Sequence, residues 1–342
     1  MSKFSVKPYK QGRVILDKKF SLVTYVATLI CAVLARTAQL QTNMDFSTGK
    51  YIDNSLAKNY TFWILIIGFA LTFLVMYFGK SRDKAIKSCI LINPMRLQAD
   101  RLNKKISPKA GAAMFLVAFL IIFDLFLSLS AIISKNKEIS TKENPVSIFA
   151  GISVLDWIMY VCAVVAVITF ISMGSNILKG EGISRGNSVF LSSFAVWKLL
   201  QIFSMISNGD IIGVYSEKIY IMLTAMSSTM FFMYTARFFA GFEKKHTRFW
   251  MCMFGYIASI IAAVSTVPRY IIYFTKTYDQ RYGMATPSTS DAGIIFATVA
   301  IVTVFWSTYV YRVMPKLNLM GKRRWMAPAT TVTKMESIDE DK

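Results

Sequence analysis

Eight apolar stretches punctuate this chain, at residues 20–40, 60–78, 110–133, 146–171, 189–206, 219–239, 251–274 and 293–311. Each is near the roughly 20 residues that an α-helix needs to cross a hydrocarbon core about 30 Å thick. Strands of a membrane barrel would be half as long and would alternate strictly, so the pattern specifies an all-α, polytopic transmembrane bundle. Hydrophobic residues make up 54% of the sequence and the mean hydropathy is +0.46, more than a soluble domain needs for its core.

Basic residues decide the expected orientation. With the N-terminus inside, most of the 39 Lys and Arg residues fall on cytoplasmic segments, densest between Lys80 and Lys109. The outer loops carry few, and these are offset by acids such as Asp45, Asp53, Glu138, Asp210 and Asp291. The positive-inside rule then places both termini in the cytoplasm. The expected organisation is a cytoplasmic segment at 1–19, a bundle at 20–313 with a basic loop at 79–109, and a cytoplasmic tail at 314–342 that turns from basic to acidic and is disordered near its end. Four spans before and four after Arg185 permit two parallel repeats, though no residues align convincingly between the halves.

The net charge of +20 fits topology and contact with anionic headgroups of the inner leaflet. It does not form the single basic face that nucleic-acid binding requires, so no nucleic-acid partner is expected. In the 79–109 loop, Ile86, Ile90, Leu97 and Leu102 alternate with Arg82, Lys87, Arg101 and Lys105. Such a segment suits an interfacial helix or the docking of a protein partner.

Enzyme chemistry finds little support. The one histidine, His246, sits in a basic turn, the four cysteines form no CxxC pair, and no Walker A loop is present. Neither a catalytic site, a metal site nor a cofactor is expected.

Charged residues inside the spans are the candidates for function. Asp124, Asp156 and Lys198 fall at a common expected depth of roughly 12 to 15 Å below the outer boundary, with Arg269 and Arg36 higher. An ionised group at mid-membrane costs at least about 2.5 to 3.5 kcal/mol, so the five are expected to form one internal network rather than face lipid separately. Lys198 would be neutralised by Asp124 or Asp156, Gln201 and Ser128 would extend the polar lining, and Arg36 or Arg269 could instead snorkel outward. Pro268 would bend the seventh span near Ser265 and Thr266. Two functions fit: an outward-facing site for a small polar solute, or a membrane scaffold or signalling partner in which the charges are structural glue.

Residues 195–272, with Trp197-Lys198-Leu199-Leu200, Ala236-Arg237-Phe238-Phe239-Ala240-Gly241 and Ser265-Thr266-Val267-Pro268-Arg269, resemble an uncharacterised family of multi-pass membrane proteins from Gram-positive anaerobes. The resemblance covers about a quarter of the chain. It implies a bacterial cytoplasmic membrane and gives weight to Lys198, Arg237 and Arg269, and it brings no activity with it.

Overall fold

The computed structural model describes residues 11–45, 50–51, 60–80, 108–139, 152–179, 185–207, 216–240, 247–275 and 289–305. The helices are α1 (Gln11–Asn43), α2 (Tyr60–Lys80), α3 (Pro108–Ile139), α4 (Val154–Lys179), α5 (Arg185–Phe190), α6 (Ser192–Ser207), α7 (Ser216–Phe239), α8 (Thr247–Phe274) and α9 (Thr289–Phe305). Strands β1 (Met44–Asp45) and β2 (Lys50–Tyr51) pair antiparallel between α1 and α2. The basic loop and the C-terminal tail lie outside the described residues, as does His246.

The protein is a multi-pass helical bundle. Stretches within α1, α3, α4, α7 and α8 are long and apolar enough to cross a membrane, and Tyr60–Val75 and Thr289–Val304 are shorter apolar helices. Helices α5 and α6 meet at Leu191, whose amide still donates to the Asn187 carbonyl at 3.0 Å. Outward-facing Ile, Leu, Val and Phe side chains cover α2, α3, α4 and α6. That reversal is stable only where lipid replaces water, since lipid tails do not penalise exposed hydrocarbon. Exposed Trp63 and Trp157 stand near the starts of α2 and α4, and Trp250 near the start of α8, at the levels where indole rings prefer headgroups.

Six helices close into a ring, in the order α3, α4, α6, α7, α8, α9 and back to α3, while the α1–α2 hairpin packs against the outside of α8. Small residues set two of these contacts. A Cβ on Gly174 would stand 3.1 Å from the Gly111 carbonyl oxygen, so α3 and α4 approach backbone to backbone. Leu120 and Ile121 of α3 lie 3.7 and 3.8 Å from a Cβ position on Gly293 of α9, which fixes that pair's antiparallel register.

The ring is filled by aromatic side chains. Phe170 from α4, Phe194 from α6, and Phe231 and Phe232 from α7 are fully buried, with Phe194 and Phe232 centroids 4.2 Å apart and Phe170 edge-on to both. Such edge-to-face contacts fill space densely and admit no water.

Candidate functional site

A cluster of charges sits over this aromatic plug, and the start of α9 builds it. Thr289, Ser290 and Asp291 open that helix and are all buried. The Thr289 hydroxyl donates to Asp124 Oδ1 at 3.0 Å. Asp124 is near the middle of the 32-residue α3, so α9 begins at the depth of the centre of its neighbour rather than at its end.

Lys198 of α6 reaches the same place. It is 1% exposed, and its ammonium donates to Gln201 Oε1 at 3.0 Å and to Ser290 Oγ at 3.4 Å. It also stands 4.2 Å from the centroid of the Trp197 ring, a distance at which the indole quadrupole attracts a cation. The carboxylates facing it are Asp291 first and then Asp124. Asp291 in turn is hydrogen-bonded by Thr266 and faces Lys198 and then Arg269. Two acids and two bases, from α3, α6, α8 and α9, thus share one level in the ring.

The aromatic plug closes the other side of Lys198. Phe194 is one helical turn earlier on α6, its ring centroid 6.0 Å from the ammonium. The floor of the cluster is apolar and fully buried, whereas its rim residues Asp124 and Arg269 are half-buried.

Asp156 lies elsewhere. Helix α4 starts at Val154, eight residues after the expected start of the span, and Asp156 is in its first turn. Its carboxylate accepts from the Ser153 amide at 3.0 Å and the Ser153 hydroxyl at 2.7 Å, while the Asp156 amide donates back to Ser153 Oγ at 3.1 Å. This reciprocal cap satisfies amides that an α-helix start leaves without partners, which is why the helix begins there. Because α3 and α4 cross antiparallel at Gly111 and Gly174, Asp156 stands about 7 Å further from that crossing than Asp124 on a rise of about 1.5 Å per residue.

Arg36 also has its own surroundings. It is 2% exposed and does not snorkel: it donates to Gln39 Oε1 at 3.2 Å, and its guanidinium lies 4.6 Å from the Tyr220 ring centroid. Thr61, in the first turn of α2, donates to the same Gln39 oxygen at 2.7 Å. Pro268 is buried in α8, which continues through it to Phe274. Arg237 is exposed in the last turn of α7, where a cation meets the negative end of the helix dipole.

The structure therefore brings Asp124, Lys198 and Arg269 together, sets Asp156 in a separate helix cap and Arg36 at the α1–α2 hairpin, and adds Asp291. Sequence reasoning assigned Asp291 to an outer loop, although Ser288-Thr289-Ser290-Asp291 before an apolar run is a helix-start pattern. Gln39, Thr61 and Tyr220 carried no comparable signal, since neutral polar residues are ordinary in spans. Compared with known protein families, with curated proteins and with solved structures, the chain matches none.

Proposed function

We propose that the protein binds, and moves across a bacterial cytoplasmic membrane, a small polar or charged solute that enters from outside. The observation that carries this reading is the stacking of a charged cluster on a closed aromatic plug within one six-helix ring. The first turn of α9, carrying Thr289, Ser290 and Asp291, lies at the cluster, and helix ends placed at mid-depth are how membrane carriers hold polar cargo where lipid would not. Asp124 and Arg269 on the half-buried rim offer one acceptor and one donor group to an arriving solute, and the plug keeps the inner side shut until the ring rearranges. In this reading both termini are cytoplasmic, the basic segments contact anionic lipid, and the 79–109 loop is the surface open to a protein partner.

The test is stabilisation by ligand. A screen of small amino acids, amines, organic acids and sugars should contain at least one compound that raises the Tm of the purified protein, because binding to the folded state alone must do so. The shift should disappear in Arg269→Gln. A screen without any such compound, on protein shown to be folded, would favour the second reading, a scaffold or signalling partner. That reading draws support from Lys198, which is completely buried and already has oxygen partners.

A further inference from the structure

We propose that the space holding the Lys198 ammonium is a binding site for a small monovalent cation, which the native chain fills with its own side chain. The surroundings of Nζ form a cage rather than one ion pair. An amide oxygen of Gln201 at 3.0 Å, a hydroxyl of Ser290 at 3.4 Å and the face of Trp197 at 4.2 Å approach from two helices. The carboxylates of Asp291 and Asp124 supply the compensating charge from α9 and α3, and Asp291 also faces Arg269 on α8.

This donor set points to the class of ion. Neutral oxygens with an aromatic face suit an ammonium-type ion, because the ring interacts with a diffuse single charge. Calcium would need six to eight oxygens and magnesium an octahedron, which an indole face interrupts. The cage is also held rigidly: Lys198 and Ser290 are buried to within 3%, so shortening the lysine leaves a lined space that the packed ring cannot collapse cheaply. The native consequence is a site whose cation is tethered, so that its occupancy does not depend on the sodium or potassium outside. The cage holds whether or not a solute enters above it.

Lys198→Ala removes the tether, and methylammonium reproduces the Cε–Nζ end of the propylammonium fragment that the substitution deletes. Thermal unfolding of the full-length variant and of the native protein should be compared in methylammonium chloride and in choline chloride, at equal ionic strength. The variant's Tm should rise saturably with methylammonium and not with choline, and the native protein should unfold at the same temperature in both. An equal response of the variant to both salts, or to neither, would overturn the proposal. Lys198→Ala/Asp291→Asn should lose the methylammonium response, and keeping it would place the ion elsewhere and overturn the assignment. Should Lys198→Ala fail to fold in choline, recovery of monodisperse protein only when membranes are solubilised in methylammonium supports the cage. Aggregation in both salts, for Lys198→Ser as well, refutes it.

Discussion

Lys198 and Arg36 are two buried cations built on one local plan and placed in different regions. Each has a glutamine three residues later as a hydrogen-bond acceptor and an aromatic face within 5 Å, and a hydroxyl from the first turn of another helix bonds Lys198 itself in one case and the glutamine partner Gln39 in the other. Lys198, inside the ring, faces Asp291 and Asp124. Arg36, at the junction of the α1–α2 hairpin with the ring, has Gln39 and the Tyr220 ring among its partners. The difference separates two uses of an intramembrane charge. Arg36 joins the hairpin to the ring through its amide and aromatic contacts, whereas a cation facing acids at a helix start creates a field that a mobile charge can answer.

The largest expected effect tests the ring side. Lys198→Met should lower stability by about 3 to 5 kcal/mol, because it strands a buried carboxylate. Adding Asp291→Asn should recover most of that loss and Asp124→Asn less, measured by chemical or thermal unfolding in detergent. Equal recovery from Asp156→Asn would break the assignment, since that side chain belongs to a helix cap about 7 Å further from the α3–α4 crossing.

The hairpin side should respond more weakly. Arg36→Met removes at least the cation–π contact with Tyr220 and the hydrogen bond to Gln39 while leaving Thr61 to satisfy Gln39, so it should cost less than Lys198→Met. Its solute-dependent Tm shift should match that of the native protein. Loss of the shift in Arg36→Met would erase the distinction between the two regions.

Asp156 gives the smallest effect. Asp156→Ala removes one half of the cap on α4 and should cost about 1 kcal/mol. Combined with Lys198→Met it should be additive to within a few tenths of a kcal/mol, as expected for groups that do not touch.

Much of this architecture was legible in the sequence. Helices occur in each of the eight expected stretches, and five of them, within α1, α3, α4, α7 and α8, have the length and apolarity that lipid imposes on a crossing segment. Lys198 and Gln201 were paired by helical spacing, as found. The ring was not legible, because the order of helices in the membrane plane depends on contacts such as Gly111 against Gly174, to which hydropathy is blind. Asp291 was misplaced because a charged residue at the edge of an apolar run was assigned to a loop, whereas α9 begins four residues before the expected span and already at the depth of Asp124. Asp156 shows the opposite error: an apolar run extending upstream of Ser153 hid a helix start that the Ser153–Asp156 cap defines.

The central claim is that the cluster opens to the exterior and ends at the aromatic plug. It is tested most directly by single cysteines on either side of Lys198, in a background with Cys31, Cys162 and Cys252 replaced by Ala or Ser. Along α6, Gln201→Cys lies about one turn after Lys198, and Ala195→Cys lies about one turn before it, next to Phe194 in the chain. A membrane-impermeant thiol reagent added outside intact cells should label Gln201→Cys and leave Ala195→Cys unmodified. Protection of Gln201→Cys, with an outer-loop control labelled, or equal labelling of both positions, would contradict an outward-open site closed by Phe170, Phe194, Phe231 and Phe232.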